Sequence, residues 1–387
     1  MKSTIAQTID QHADKFKAIS SFIGSNPELG HEEFLAAARL TEELETHGFH
    51  VERGILDIPT SFLATYDSGK PGPVVAFLAE YDALPELGHA CGHHLICMMS
   101  IGAAVGLKSV IANTGGIIRV YGTPAEETKG AKVPMAAAGL FNDADIALMA
   151  HPYYTYEKSG ESLAMDAIQY EFFGRSAHAA AQPFEGVNAL DAVLQLFNAI
   201  NALRQQVKSH ARIHGIISEG GKAPNIIPDY AVAQFYIRSA SRAYTDELVQ
   251  KVLHCAEGAA LQTGCTLKTS NYEYSYDELR TNETLSSVFT NNMLAMGVEL
   301  EEIEIGKDHG SLDLGNVSIQ CPTIHPFVKV VGEKHMLHTK EFRDLAMQDQ
   351  ALDSMIFAAK ALANTAYDVI TSPELLSKIK TEFASKK

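Results

Sequence analysis

The first part of the chain alternates between helical and strand-like patterns of apolar residues. Ile5, Ile9, Phe16 and Ile23 recur near helical spacing, which predicts an amphipathic helix over residues 4 to 24. The patterns that follow predict helices over residues 33 to 47 and 95 to 108, and strands over residues 60 to 66, 74 to 79, 117 to 121 and 144 to 149. Strands that alternate with helices indicate a layered α/β domain around a mixed, largely parallel sheet.

The pattern changes after about residue 160. Here we predict strands over residues 163 to 173, 212 to 218, 231 to 238 and 266 to 272, and helices over residues 188 to 206 and 245 to 263. This βαββαβ order is that of a ferredoxin-like sandwich. Beyond it we predict helices over residues 282 to 296 and 343 to 366 and a short strand over residues 300 to 305. The sequence therefore predicts a larger α/β/α domain of residues 1–162 and 281–387, with a ferredoxin-like domain inserted at residues 163–280.

Composition narrows the classes of protein. A chain of 387 residues is too long for one compact core, which favours two domains. Its net charge of −16 argues against nucleic acid or an anionic membrane as a partner. The five cysteines are odd in number and scattered, which is typical of a reducing compartment. With a polar N-terminal stretch and no apolar run of membrane-spanning length, the sequence predicts a cytoplasmic protein.

The densest group of metal-binding residue types lies between a predicted strand and a predicted helix. The stretch from Glu80 to His94 contains Asp82, Glu86, His89, Cys91, His93 and His94. Thiolate, imidazole and carboxylate are the ligands of transition metals. Cys91 and His93 are two residues apart, so in extended backbone both side chains leave on the same side. For any one of these residues, a buried cysteine or a surface histidine is the simpler interpretation, but the whole group predicts a metal site.

Two further stretches carry candidate residues. Glu126 and Glu127 follow the next predicted strand, and in extended backbone they cannot both face one point. One carboxylate can then bind a metal while the other accepts a proton from water. His151 ends another predicted strand, and Pro152 fixes the backbone after it, so His151 is a candidate ligand. Taken alone, a solvated acidic loop and a packing histidine are the simpler interpretations.

Other loops leave their roles open on the residues alone. The glycine-rich turn over residues 309 to 316 offers backbone N–H groups and Ser311 to a substrate carboxylate, but a connecting loop fits equally well. His335 and His338 are both candidates to complete the metal shell, and the sequence does not choose between them. Thr339 is a candidate helix cap. His178, after the first strand of the inserted domain, is equally consistent with an ordinary loop histidine.

Together these stretches resemble the metallopeptidases of family M20. The similarity is to its amidohydrolase branch, which includes aminoacylases, p-aminobenzoyl-glutamate hydrolase and β-alanyl-dipeptidase-like proteins. The motifs occur in family order and cover nearly the whole chain. They are Glu80-Tyr-Asp-Ala-Leu-Pro, Gly88-His-Ala-Cys-Gly-His, Pro124-Ala-Glu-Glu, Ala150-His-Pro, Gly174-Arg-Ser-Ala-His-Ala-Ala, Glu185-Gly-Val-Asn-Ala-Leu, Pro224-Asn-Ile-Ile-Pro-Asp, Asp313-Leu-Gly-Asn-Val-Ser and His338-Thr.

The resemblance implies a site for two divalent metal ions, Zn²⁺ or Mn²⁺ with Co²⁺ as a third candidate. It implies that Cys91 bridges both ions and that the remaining ligands are His93, Glu127, His151 and His338. Glu126 would be the general base. Asp82 would orient a ligand from behind. His94 departs from the family pattern, which usually has Asp or Asn there, and its role stays open.

The resemblance also gives the inserted domain a role as a lid and dimerisation domain. His178 would then reach a neighbouring active site and polarise the scissile carbonyl. Asn225 and Arg238 match positions that bind the substrate carboxylate or shape that site, and Gly310 and Ser311 are the candidates from the glycine-rich turn. We therefore expect a homodimer or a higher homo-oligomer whose only other partner is a small substrate.

The expected function is hydrolysis of the amide bond of small N-acyl amino acids or dipeptides by activated water, because a closing lid limits substrate size. An aminopeptidase or a broader peptidase on short peptides is one alternative. A hydrolase with Cys91 as nucleophile is another, but it leaves Glu126, Glu127, His151 and His338 without a role. A binding protein that has lost turnover is a third, and the intact Glu126 argues against it.

Overall fold

The structure is a computed structural model, and it describes residues 1–306, 310–332 and 334–386. His309, the first residue of the predicted glycine-rich turn, lies outside these ranges. The α-helices are α1 Lys2–Ser25, α2 Phe34–Thr46, α3 His93–Thr114, α4 Lys132–Ala137, α5 Ala189–Leu203, α6 Arg242–Thr263, α7 Glu283–Ala295, α8 Leu314–Ser318, α9 Lys340–Ala346, α10 Asp349–Thr371 and α11 Pro373–Ser385. The strands are β1 His50–Arg53, β2 Phe62–Asp67, β3 Val74–Ala79, β4 Ile117–Gly122, β5 Ile146–Leu148, β6 His151–Tyr153, β7 Tyr156–Glu157, β8 Ala164–Phe173, β9 Arg212–Glu219, β10 Tyr230–Ser239, β11 Thr266–Asn271, β12 Ile303–Glu304, β13 Thr323–Ile324 and β14 Phe327–Lys329.

The chain divides into two compact units. Unit 1 comprises Met1–Glu161 and the described residues from Leu279 onward, apart from Gly310–Leu312. Unit 2 comprises Ser162–Glu278 together with Gly310–Leu312. The sequence assigned residues 310 to 312 to the larger domain, whereas in the structure they lie with unit 2. Leu163 donates its N–H to the carbonyl oxygen of Gly310 at 2.7 Å, a contact between segments that are far apart in sequence.

Unit 1 is built on a mixed sheet with the order β1-β2-β4-β3-β5-β13. β4, β3, β5 and β13 are parallel neighbours, and β2 and β1 extend the sheet in antiparallel pairing. β3 pairs with β4 on one side and β5 on the other, and its residues from Val75 to Ala79 are buried. The mixed, largely parallel sheet confirms the predicted fold class.

Helix α3 forms the centre of the unit 1 core. It is apolar on nearly every face and buried along most of its length, although its length and composition alone would also suit a membrane span. It packs against α1 and α10. A Cβ added at Gly106 would lie 2.7 Å from Ile9 Cδ1, and one added at Gly102 would lie 3.0 Å from Ala359 Cβ. These glycines therefore allow the three helices to approach closely, and α3 presents its first residue, His93, at a fixed position.

A second, small sheet in unit 1 has the order β12-β7-β14-β6. β6 begins at His151 and runs parallel to β14, and Phe327 is paired with His151. Of its strands, only β12 lies in a predicted strand, the one over residues 300 to 305. The sequence did not predict β6, β7 and β14, because segments of two or three residues are too short to display an apolar period. Pairing with β14 holds the backbone of His151, whose N–H is donated to the carbonyl of Pro326 at 2.9 Å.

Unit 2 is an antiparallel sheet with the order β11-β8-β10-β9, and its α-helices are α5 and α6. Its element order is βαββαβ, which confirms the predicted ferredoxin-like fold. Phe172, Ala231 and Phe235 lie in its core with residues of both helices. Each helix begins at a capping side chain, Asn188 for α5 and Ser241 for α6, that accepts backbone N–H groups of the first turn.

Candidate active site

The turn before α3 brings Cys91 and His93 together, but not in the way that the sequence suggested. Gly92 has a φ of 80°, and α3 begins at His93, so the segment is a tight turn and the assumption of extended backbone was wrong. A Cβ on residue 92 would lie 2.6 Å from Pro152 Cγ. Glycine is therefore required both by the left-handed conformation and by the close approach of Pro152. The turn aims Cys91 and His93 into the same buried space.

His93 is held in one tautomer. Its Nδ1 lies 3.0 Å from both the carbonyl oxygen and the Oδ1 carboxylate oxygen of Asp82. Both oxygens accept hydrogen bonds, so Nδ1 carries a proton and Nε2 is the nitrogen that faces the buried space. Burial lowers the pKa of His93, but Asp82 and Cys91 outweigh it and raise the pKa well above its ordinary value, so a cation that binds at Nε2 would displace a proton. The buried Nε2 has no hydrogen-bond partner among the described residues. A buried nitrogen of this kind matches a metal ligand whose other nitrogen is held by an acceptor oxygen.

Asp82 connects His93 to the acidic turn. Its Oδ2 accepts the N–H of Glu127 at 3.0 Å. Burial alone would raise the pKa of Asp82, but the neighbouring charge and hydrogen bond of His93 outweigh it, and the pKa falls to about 2. The carboxylate is therefore charged at neutral pH. Asp82 thus contacts both the ring of His93 and the backbone of Glu127, and its role in orienting ligands stays a prediction.

His151 is oriented in the same way. Its Nδ1 donates to the carbonyl oxygen of Pro152 at 2.8 Å, and its Nε2 lies 3.5 Å from Cys91 Sγ. Cys91, His93 and His151 each offer one atom within 4.8 Å of the others. Burial and the charge of Glu127 raise the pKa of the Cys91 thiol well above its ordinary value, an effect that a bound cation would oppose. One sulfur and two imidazole nitrogens suit Zn²⁺ and similar ions, so the donor set fits a divalent metal.

A second group of donors shares Cys91 with the first. Cys91, Glu127 and His338 also offer atoms within 4.8 Å of one another. His338 Nε2 lies 3.1 Å from Glu127 Oε1, and the His338 backbone N–H is donated to the carbonyl of Ala90 at 3.0 Å. The sequence left the choice between His335 and His338 open, and within the described ranges only His338 belongs to such a group. Two donor groups that share one thiol have the composition of a dinuclear site.

Glu126 and Glu127 lie in a turn that follows Ala125, whose φ is +64°. The expectation that both carboxylates cannot face one point was wrong, because it assumed extended backbone. His93, Glu126 and Glu127 each offer an atom within 4.8 Å of the others. Burial, Glu80 and Glu127 raise the pKa of Glu126 well above its ordinary value. Burial raises the pKa of Glu127, but the contact with His338 and the charge of His93 outweigh it, and the pKa falls below its ordinary value. The pKa values of the two adjacent acids are therefore shifted in opposite directions.

A buried lysine beside Glu126 escaped the sequence analysis. Lys132 is fully buried, and its Nζ lies 2.5 Å from Glu80 Oε1 and 2.7 Å from Asp313 Oδ1. Glu80, Glu126 and Asp313 each offer an oxygen within 4.8 Å of the others, so the ammonium group compensates a dense group of acids. Burial lowers the pKa of Lys132, but the charges of Asp313 and Glu80 outweigh it and raise the pKa above its ordinary value, so the ammonium group stays charged. Glu80 and Asp313 lie in recognised motifs, but a lysine is no metal ligand and gave no signal.

The remaining residues of the histidine-rich turn do not join the metal donors. His94 donates from Nε2 to the carbonyl of Ala346 at 3.2 Å, and burial lowers its pKa to about 4. His89 is buried with its ring centroid 5.2 Å from that of His94. Neither residue, nor Glu86, belongs to a donor group of the described residues. His94 is therefore a buried neutral imidazole in the packing between the start of α3 and the end of α9.

The other predicted site residues lie in unit 2. His178 accepts the N–H groups of Ala180 and Ala181 at its Nδ1, at 3.3 and 3.2 Å. The predicted site residues in unit 2 are His178, Asn225, Arg238, Gly310 and Ser311. The backbone of Asn225 is hydrogen-bonded to Ala179, and a Cβ on Gly310 would lie 3.5 Å from Arg238 Nη1. Four of these five residues therefore lie in two pairs, His178 near Asn225 and Gly310 near Arg238, and the roles of all five stay predictions.

Known proteins are similar to this chain over its whole length. The family described as the peptidase dimerisation domain of M20 peptidases matches residues 165–263. Over 400 residues the chain is 38% identical to the Xaa-Arg dipeptidase of Mus musculus, and the match covers 100% of this chain and 93% of the relative. The chain belongs to the M20 peptidase family. It is also 28% identical to one of the subunits of the p-aminobenzoyl-glutamate hydrolase of Escherichia coli, over 98% of this chain and 94% of the relative.

Solved structures of M20 proteins share the fold. An aminobenzoyl-glutamate utilization protein from Klebsiella pneumoniae matches with a TM-score of 0.71 at 21% identity, covering 92% of this chain and 97% of that one. A dinuclear metal-binding M20 peptidase from Bacillus subtilis matches with a TM-score of 0.68 at 19% identity, covering 92% and 99%. With its M20 relatives, this chain is a hydrolase of peptide or amide bonds.

Proposed function

We propose that this M20 protein is a metal-dependent dipeptidase or amidohydrolase that cleaves the amide bond of a dipeptide or a small N-acyl amino acid. The observation that carries the proposal is the convergence of Cys91, His93 and His151, whose sulfur and ring nitrogens lie within 4.8 Å of one another beside Glu126. Each imidazole has its Nδ1 proton engaged, which leaves Nε2 for a cation. Burial of these polar groups without a bound cation lowers the free energy of unfolding, because their lost interactions with water are not replaced.

The residues divide into two sets of ligands for two divalent ions, Zn²⁺ or Mn²⁺, with Co²⁺ as a further candidate. Cys91, as a thiolate, belongs to both donor groups and is the proposed bridge. The proposed remaining ligands are His93, Glu127, His151 and His338. When bound, two such ions supply Lewis acidity that activates water and polarises a carbonyl group. Asp82 contacts the ring of His93 and the backbone of Glu127, and so holds one ligand of each set in place.

Glu126 is the proposed general base. It accepts a proton from the attacking water and passes it to the departing amine. Its raised pKa makes Glu126 a stronger base than an ordinary carboxylate, which favours the transfer of a proton from water. Lys132 compensates the charge of Glu80 and Asp313, and so limits the repulsion that Glu126 experiences when it is ionised. The adjacent Glu127 stays ionised as a ligand.

Unit 2 supplies the proposed substrate-binding groups. His178 donates a hydrogen bond to the oxyanion that develops on the scissile carbonyl, and Asn225, Arg238, Gly310 and Ser311 receive the substrate carboxylate. The match of residues 165–263 to a dimerisation domain supports a homo-oligomer. The free cysteines support a cytoplasmic location, because a reducing compartment keeps them as thiols.

The full-length relatives narrow the substrate class. The mouse and human relatives are Xaa-Arg dipeptidases, 38% and 36% identical to this chain over its whole length. A dipeptide with a basic C-terminal residue is therefore the first proposed substrate. The relative from Escherichia coli, a p-aminobenzoyl-glutamate hydrolase subunit, favours an N-acyl amino acid with an acidic side chain as the second. The two substrates carry opposite side-chain charges, so a direct competition separates them.

A substrate panel tests the proposal. The purified protein, loaded with Zn²⁺ or Mn²⁺, is assayed for amine release from Xaa-Arg, Xaa-Lys and Xaa-Glu dipeptides, p-aminobenzoyl-glutamate and N-acetyl amino acids. Hydrolysis of one class, with the highest kcat/KM for the C-terminal arginine or lysine dipeptides, supports the first substrate. A higher kcat/KM for p-aminobenzoyl-glutamate than for these dipeptides would favour the second proposed substrate instead. Turnover of none of these by metal-loaded protein would contradict the proposed function.

A further inference from the structure

A buried carboxyl group contacts the backbone just before Glu126 and belongs to none of the donor groups found among the described residues. Glu33 is fully buried just before α2. Its Oε1 accepts the N–H of Ala125 at 2.8 Å, and its Oε2 accepts the hydroxyl of Thr60 at 2.9 Å. Both carboxyl oxygens are thus engaged, one of them by the backbone that immediately precedes Glu126.

Ala125 is in a conformation that needs support. Its φ of +64° is in the left-handed region, where a Cβ crowds the following carbonyl oxygen and where glycine is the usual residue. The residue is fully buried, so its N–H cannot be satisfied by solvent. The hydrogen bond to Glu33 fixes the peptide plane about which Ala125 turns. That turn sets the directions in which the side chains of Glu126 and Glu127 leave the chain.

The segment Glu28–Glu33 contacts the same turn at further points. A Cβ on Gly30 would lie 2.8 Å from Ala125 Cβ, so the segment packs directly against this residue. The ring nitrogen Nε2 of His31 lies 3.1 Å from the carbonyl oxygen of Lys129. The carbonyl of Glu28 accepts the N–H of Ala83, next to Asp82, at 2.8 Å. The segment Glu28–Glu33 therefore contacts both turns that carry the donor groups.

We propose that Glu33 is a positioning residue, which holds Ala125 in its left-handed conformation so that Glu126 faces the reacting water while Glu127 faces the metal ligands. This inference rests on the proposed hydrolase function for the roles of the two acids. Glu33 acts through the acceptor oxygen that it offers to Ala125, not through its charge. Burial and the charge of Asp82 raise the pKa of Glu33 to about 7, which is compatible with a neutral group in the same place.

Four variants separate this role from simple packing. Glu33→Gln keeps an acceptor oxygen for Ala125, whereas Glu33→Leu has a similar size and offers none. Glu32→Leu, on the exposed neighbour, is the matched control. The fourth variant adds Ala125→Gly to Glu33→Leu, since glycine adopts a positive φ without strain.

Steady-state kinetics with metal-loaded protein give the first readout. Glu33→Leu should lower kcat by about tenfold or more with KM nearly unchanged, because small misplacements of catalytic groups are costly. Glu33→Gln and Glu32→Leu should stay within about threefold of the wild type, and the added Ala125→Gly should restore part of the lost kcat. Wild-type kcat in folded, metal-loaded Glu33→Leu would overturn the positioning role, even if its unfolding temperature were lower.

Amide hydrogen exchange of the peptide that covers residues 123 to 130 gives a readout independent of activity. Glu33→Leu should exchange faster there, and Glu33→Gln should match the wild type. If Glu33→Leu does not fold, Thr60→Val carries the test, since it removes the hydroxyl that holds the second oxygen of Glu33 and should show the same changes to a smaller extent. Unchanged exchange in these variants would overturn the inference. If the variants change exchange as predicted but the metal-loaded wild type hydrolyses no substrate, the proposed function alone would be overturned.

Discussion

Two of the three histidines proposed as metal ligands, His93 and His151, are fixed by oxygens that only accept hydrogen bonds. Asp82 receives the Nδ1 proton of His93, and the carbonyl of Pro152 receives that of His151. The sequence predicted the residue types of this site, because thiolate, imidazole and carboxylate cluster at strand ends. It could not predict the tautomers, which depend on contacts between distant segments. It also missed Lys132 and Glu33, whose importance lies in their burial and not in their spacing.

The adjacent acids give the first prediction at this scale. Glu126→Gln keeps the size of the side chain but accepts no proton, so kcat should fall by at least about 10²-fold while metal content is retained. Glu127→Gln should instead lower metal content, because an amide is a poorer ligand than a carboxylate. Elemental analysis and kinetics on both variants check the assignment. If Glu126→Gln loses metal and Glu127→Gln keeps it, the roles of the two acids are reversed.

His94 gives a prediction about pH. Burial lowers its pKa from 6.5 to about 4 in the folded protein, so between these values the unfolded chain binds more protons. Its contribution to the free energy of unfolding is fully present above pH 6.5 and is lost as the pH falls towards 4. At about 1.4 kcal/mol per pKa unit, the full loss is roughly 3 kcal/mol.

Urea unfolding of metal-free protein at pH 7 and pH 5 measures this loss. His94→Gln keeps an N–H donor for the carbonyl of Ala346 but does not titrate. The variant should therefore lose less stability than the wild type between the two pH values. An equal loss in both proteins would show that His94 does not contribute to acid sensitivity.

At the scale of elements, the close packing of α3 determines where His93 lies. Gly106 leaves room for Ile9 of α1, with an added Cβ only 2.7 Å from Ile9 Cδ1. Gly258 of α6 also lies in a helix, but an added Cβ there meets nothing within 4 Å. The two glycines therefore form a matched pair for the same substitution, one in a packed interface and one in open space.

We predict opposite effects of alanine at these two positions. Gly106→Ala should destabilise unit 1 by about 1–3 kcal/mol, because overpacking forces the helices apart. Gly258→Ala should stabilise unit 2 by roughly 0.5–1 kcal/mol, since alanine has the higher helix propensity. Differential scanning calorimetry, which can resolve the unfolding of two units, checks both changes. Destabilisation by Gly258→Ala, or none by Gly106→Ala, would contradict this description of the packing.

Long elements were predictable from the sequence, and short ones were not. α1, β3 and α6 carry enough periodic apolar residues to be recognised within a few residues of their ends. The predicted helix over residues 343 to 366 is in fact α9 and α10, with α10 beginning at Asp349. β6 and β14 pair only because other parts of unit 1 bring them together. Thr339 was correctly predicted as a cap, since its hydroxyl accepts the N–H of Phe342.

At the scale of the whole molecule, the role of His178 depends on assembly. If His178 donates a hydrogen bond to the oxyanion, His178→Ala should lower kcat by the equivalent of roughly 2.7–4 kcal/mol and leave metal content unchanged. If it acts in the site of a neighbouring subunit, mixing His178→Ala with Glu126→Gln protein should restore part of the activity. Light scattering and a subunit-exchange assay must show that mixed oligomers form. Mixed oligomers without recovery would place His178 in the site of its own chain or outside catalysis.

The dependence of activity on metal content tests the central claim most directly. Protein treated with a chelator should lose turnover as its metal content falls, whereas a metal-saturated chelator should have no effect. Stepwise addition of Zn²⁺, Mn²⁺ or Co²⁺ should restore turnover, with activity reaching its plateau at about two ions per chain, the number expected for a dinuclear site. Full activity in protein that elemental analysis shows to be free of metal would contradict the account.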